Sequence, residues 1–240
     1  MMKLLRATAY RLNDMKKSVL IFYSVMMGIF LLSLLISHYF NADNININGA
    51  GISTLIFVFV AGLTAFKAYL KMFLQNGISR PTLYLSAILS FIALAFLCAF
   101  ADSLLSIVFT GRINYSSMYS LIYERSYIKD LLWFFTFYFI SCCLGFFITA
   151  LYYRMNTLLK VVVSAVVPLC FFIGLPILDV MYPKVNLLKT LMEFTCQLLG
   201  IDLIRHTANP FIAMGTFLLG SAVLLAITYP LIRRATLKEA

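Results

Sequence analysis

Apolar residues along the chain gather into six long runs, separated by short polar and basic stretches. The runs fall at about Ser18–Phe40, Gly51–Leu70, Leu83–Phe109, Leu131–Tyr153, Val161–Val180 and Pro210–Ile232. Each supplies close to the ~20 helical residues that cross ~30 Å of hydrocarbon. Within a run apolar positions are continuous and do not alternate with period two. Helices, which satisfy their own backbone hydrogen bonds in lipid, are therefore predicted over a barrel. The fourth run, LLWFFTFYFISCCLGFFITALY, carries no charge. The second is the weakest: its fully apolar part, Ile52–Phe66, is short and needs Lys67 to snorkel at the interface. The first run exceeds the ~7–15 residues of a signal-peptide core, and no A-x-A-like site follows, so it reads as a span.

The stretches between runs carry their own periodicity. In residues 1–17, Met1, Leu4, Leu5, Thr8, Leu12 and Met15 share one helical face, with Lys3, Arg6, Asp14 and Lys17 opposite. This predicts an amphipathic helix lying in the membrane interface before span one. Lys67–Thr82, KAYLKMFLQNGISRPT, places Tyr69, Leu70, Phe73 and Leu74 on one face and Lys67 and Lys71 on another. Asn76-Gly77 then supplies a helix stop, Ser79 a cap and Pro81 a first-turn residue of the next helix. The expected result is a short helical elbow joining spans two and three. Between spans five and six, Leu187, Leu188, Leu191, Phe194, Leu198 and Leu199 repeat helically up to Gly200, and a second short piece covers Ile201–His206. Two short outer helices are expected there. Pro168 and Pro176 predict a kinked span five.

Composition agrees with lipid rather than water as the main solvent. Hydrophobic residues make up 62% and charged residues 12% of the 240 positions, about half the usual charged share. The chain reads as one transmembrane domain over residues 1–240, with no repeat or linker. Its formal net charge of +10 is read as a topology signal and an attraction to anionic lipid, with no nucleic-acid partner implied. Thirteen of the basic residues flank the amino terminus, the elbow, the fourth–fifth loop and the tail, against six on the other side. Both termini are therefore expected in the cytosol. The five cysteines form no CxxC, so neither a disulfide nor a metal site is indicated.

Candidate chemistry is sparse. Asp102 is the one acid well inside an apolar run, which makes it a possible intramembrane polar site because a charge in lipid is costly. The alternative, which the sequence alone favours, is that span three reaches the outer interface near Ala101 and leaves Asp102 among headgroups. No G-x-x-x-x-G-K-[ST] occurs, and His38 and His206 are the only histidines, with no H-E-x-x-H. No catalytic residue and no cofactor site are assigned, and the chain reads as non-catalytic.

The order of parts, together with the string Phe73-Leu74-Gln75-Asn76-Gly77-Ile78-Ser79-Arg80, resembles the permease subunit of an ABC-2 type transporter. The string is similar to that found in such permeases of Firmicutes, many of which handle antimicrobial or amphipathic peptides. The likeness covers the whole chain in layout and those eight residues in sequence. It implies an all-α membrane protein of six spans, with an N-terminal interfacial helix, a cytosolic coupling helix between spans two and three, and two short outer helices between spans five and six. Phe73 to Arg80 would seat in a separate cytosolic ABC ATPase subunit that carries ATP and Mg. A second permease chain, identical or homologous, would complete an exporter in the bacterial plasma membrane. Gly111–Asp130, a charged outer loop with Tyr115, Tyr119 and Tyr123, departs from the simplest members of that family. An ATPase-independent secondary transporter or small channel is the alternative. It expects paired ionisable groups near the midplane.

Overall fold

A computed structural model describes residues 2–40, 46–48, 50–109, 114–181, 187–202 and 207–233. Nine helices lie among the described residues: α1 Met2–Phe40, α2 Ala50–Thr64, α3 Lys67–Gln75, α4 Arg80–Phe109, α5 Tyr127–Arg154, α6 Thr157–Leu169, α7 Leu175–Met181, α8 Leu187–Leu198 and α9 Pro210–Arg233. They build six helical spans long and apolar enough to cross a membrane, and the chain is a multi-pass α-helical membrane protein. The outward surface is accordingly oily, with Ile21, Ile56, Phe96, Phe172 and Leu219 all exposed. In lipid such residues carry no penalty.

Helix α5 is the hub, packed against α2, α4 and α9, while α1 packs along α4. Two glycines set the α2–α5 distance. A methyl on Gly62 would collide with the Cys142 carbonyl oxygen, and one on Gly145 with the Phe59 carbonyl, from opposite sides of the same crossing. Without a hydrophobic force between helices, close backbone approach through small residues supplies the packing. Cys142 and Phe146 on α5 and Phe91 and Leu94 on α4 fill the core around this crossing.

Three expectations change. Residues 2–17 are not a separate interfacial helix; they run unbroken into span one as 39 residues of α1. One buried stripe, Ala7, Arg11, Met15, Val19, Phe22, Tyr23, Met26 and Phe30, runs along both parts at helical spacing. Of the predicted apolar face, Met15 joins this stripe, Leu4, Thr8 and Leu12 are half-buried, and Leu5 is exposed. No Gly or Pro occurs before Gly28 to break the helix. Second, span two is broken by a turn at Ala65–Phe66, so the elbow helix α3 is its last nine residues bent on a hinge. Third, among the described residues one short helix, α8, lies between spans five and six. The next element is a two-residue antiparallel pair, β3 Ile201–Asp202 with β4 Thr207–Ala208. Residues 203–206, the rest of the predicted second piece, lie outside the described residues, as do His206 and the side chain of His38.

Span five bends as its prolines predict. Two residues after Pro168 the chain enters a π-helical turn, Cys170–Gly174, before resuming as α7. No residue of α6 is buried, and a Tyr152–Ser164 hydroxyl contact of 2.7 Å ties it back to α5. On the side of the 110–126 loop, β1 Asn46–Asn48 pairs in parallel with β2 Asn114–Ser116, linking the connections after spans one and three.

Candidate functional site

The elbow is built by a helix stop of defined geometry. Gly77 adopts φ +66°, the left-handed region that glycine enters without penalty. Its amide donates to the Leu74 carbonyl at 3.1 Å and the Ile78 amide to Phe73 at 2.9 Å. Those two bonds define a Schellman motif, completed by apolar packing of Ile78 near Phe73. The Asn76 side-chain amide adds a bond to Met72 O at 2.9 Å. Ser79 begins α4 through its carbonyl, which accepts from Leu83 N at 3.0 Å. Its hydroxyl meets that of Thr82 at 2.7 Å. Arg80 donates to the Arg233 carbonyl at 2.6 Å, fastening the elbow to the end of α9.

The inner face of α3 is bolted to the start of α1. Arg11, fully buried, donates to Ala65 O at 2.9 Å and lies 4.3 Å over the Tyr69 ring and 5.2 Å from that of Phe73. Tyr69 donates to Asp14 at 2.6 Å, and Tyr10 meets Tyr69 and Phe73 edge-on. The eight predicted residues therefore divide. Phe73 is only 2% exposed and belongs to the joint. Leu74, Ile78 and Arg80 are half-buried, and Gln75, Asn76, Gly77 and Ser79 form the open tip. Arg11 and Asp14 escape the sequence reading except as charges. The i, i+4 pair Ala7–Arg11, beside Leu4 at the edge of the leucine face, is the available signal.

Asp102 faces the interior of the bundle instead of opening onto headgroups. It is 2% exposed, on the inner face of α4. Tyr23 of α1 donates to one carboxyl oxygen at 3.1 Å and to Cys98 O at 3.1 Å. Tyr138 of α5 donates to the other oxygen and approaches Gly51 O of α2 at 3.4 Å. The Thr54 hydroxyl lies beside Asp102 and Tyr138, outside normal hydrogen-bond geometry. One carboxyl thus gathers four helices, which accords with intramembrane acids facing a bundle interior. Its partners lie 79 and 36 positions away in sequence.

A second acid, Asp130 in the first turn of α5, is also buried and accepts from the Ser117 hydroxyl at 3.1 Å. Above it the loop that the sequence marks as charged folds inward. Tyr119 and Tyr123 pack on Trp133, and Tyr123 donates to Leu199 O at 2.5 Å. Burial raises both phenol pKa values. The Tyr115 side chain lies outside the described residues. Comparison of the chain with protein-family models, curated proteins and solved structures finds no match.

Proposed function

We propose that this chain is the permease subunit of an ATP-driven ABC transporter of the ABC-2 type, exporting an amphipathic or peptide-like substrate. One observation carries the reading: an open tip, Gln75, Asn76, Gly77 and Ser79, stands between two spans on a joint tied by hydrogen bonds from Ile78, Arg11 and Tyr69. The buried Arg11 and the Arg80 bond to the end of α9 hold this connection more firmly than a plain link requires. The tip, not Phe73, is the surface a cytosolic ATPase would grip. A push there is passed directly to α4, the helix that carries Asp102, and through Arg11 and Asp14 to α1. The basic bias of this side supports a cytosolic placement for it and both termini, and the reading sets the chain in a bacterial plasma membrane. Because the chain has no P-loop, ATP and Mg would be bound by the partner. The uncovered faces of α1 and α6 leave room for a second permease, with the substrate path between the two.

The test is co-purification of a P-loop ATPase from cells of the native host, comparing wild type with Gln75→Ala/Asn76→Ala. The variant is expected to fold normally and to lose the ATPase and transport. Undiminished assembly and transport would sink the assignment. A second reading, transport without an ATPase, draws on the two buried acids Asp102 and Asp130. It predicts substrate flux in proteoliposomes holding this chain alone, driven by an ion gradient and abolished by Asp102→Asn.

A further inference from the structure

We infer that the groove between the start of α1 and the end of α3 is a binding site for an anionic phospholipid. The groove encloses about 320 Å³. Lys3 and Arg6 rise from one side, Met72, Phe73 and Ile78 line its apolar floor, and Asn76 closes one end. A floor of this kind beneath two cations matches a ligand that joins a phosphate to an acyl chain, and suits a free anion or a plain hydrocarbon less well. Behind the floor lies a second, independent charge. Arg11 is fully buried with its guanidinium 5.2 Å from the Phe73 ring, and its Nε and Nη2 have no hydrogen-bond partner. It makes no ion pair with a carboxylate among the described residues. A buried cation left without a counter-charge is costly, and an anion held nearby offsets that cost.

Position supports a lipid. Span six, α9, has 24 residues and is about 36 Å long, enough to cross ~30 Å of hydrocarbon and end among headgroups. Its last residue, Arg233, is bonded through its carbonyl to Arg80, two residues beyond Ile78 of the groove floor. The groove therefore sits at headgroup level on the basic side of the protein, where anionic lipid concentrates. The occupant requires no ATPase, so the inference stands apart from the functional proposal.

The experiment uses the full chain alone in nanodiscs of phosphatidylcholine with phosphatidylglycerol, followed by release and native mass spectrometry of retained lipid. Phosphatidylglycerol is expected to be retained over phosphatidylcholine. Lys3→Gln/Arg6→Gln should weaken that retention about 30-fold, at roughly a decade or less per basic residue. Lys67→Gln/Lys71→Gln removes the same charge outside the groove and should leave it unchanged, with equal melting temperatures for both variants. Equal loss in both variants would mean a diffuse charge effect and overturn the site. Competition by millimolar glycerol phosphate would reduce the ligand to a headgroup anion and overturn the lipid. Displacement of the retained lipid on adding an ATPase that co-purifies with the chain would reassign the groove to that protein.

Discussion

Removing one hydroxyl from Tyr138 tests whether the Asp102 cluster holds the bundle together. Tyr138→Phe keeps the ring, which stacks on Phe134 with centroids 5.4 Å apart, and deletes the bond to Asp102 and the weaker approach to Gly51 O. Interhelical hydrogen bonds in membranes average about 0.6 kcal/mol and reach about 1.7. Hydrogen bonds to charged groups in soluble proteins are worth about 1.5–3. Here the deprived oxygen sits on a residue only 2% exposed, where water cannot replace the donor. The upper end of the membrane range applies, about 1.5 kcal/mol, or roughly tenfold in the folding equilibrium. Tyr23→Phe should cost less, about 0.5–1 kcal/mol, because its single proton is shared between Asp102 and Cys98 O. Equilibrium unfolding in mixed micelles measures both. The decisive arm is the Asp102→Leu background, in which the Tyr138 hydroxyl has lost its main acceptor. There Tyr138→Phe should be neutral or stabilising. An unchanged cost in that background, or no cost in wild type, refutes the reasoning.

The helix contacts set further expectations. Gly62→Ala and Gly145→Ala each press a methyl against the backbone of the facing helix, so each should destabilise by about 1–2 kcal/mol, overpacking outweighing the gain in helix propensity. The double variant should cost less than the sum, since one outward shift relieves both clashes, and unfolding of the three proteins measures this. Gly28→Ala and Gly215→Ala, which meet nothing within 4 Å, should be neutral or stabilising in the same assay. Gly77→Ala should cost about 1 kcal/mol through its left-handed φ, with Gly77→Asn milder. Arg11→Met should leave melting unchanged or raise it, because an isosteric apolar chain avoids burying a charge. The same variant should lose transport and, with it, phosphatidylglycerol retention.

Much of this architecture is legible in the sequence, because lipid imposes one rule on every span. The third, fourth and sixth apolar runs end within a few residues of α4, α5 and α9. The helices overrun the apolar runs at one or both ends, since hydropathy marks contact with lipid and hydrogen bonding continues past it. The stop at Asn76-Gly77 and the bend after Pro168 are legible for local reasons: a left-handed turn and a missing amide are properties of single residues. Features the sequence hides depend on distant partners. Asp102 reads as a headgroup residue until Tyr23 and Tyr138 are brought to it. Arg11 reads as an interfacial charge until Tyr69 and Phe73 cover it. Phe73 reads as something to be gripped, since its own periodicity cannot tell a partner's groove from α1. Ile201 and Asp202 form a strand where a helix is expected, because two residues are too few to carry a period.

The central claim is that the open tip of the elbow is the seat of a separate ATPase. The most direct measurement places a photo-crosslinking amino acid at Gln75 or Ser79, both exposed, in cells of the native host. The same probe at Ile128, an exposed residue in the first turn of α5, serves as the control. The account predicts adducts to the P-loop ATPase, identified by mass spectrometry, from positions 75 and 79 and none from 128. Adducts absent from the tip, or equally abundant at Ile128, would contradict it.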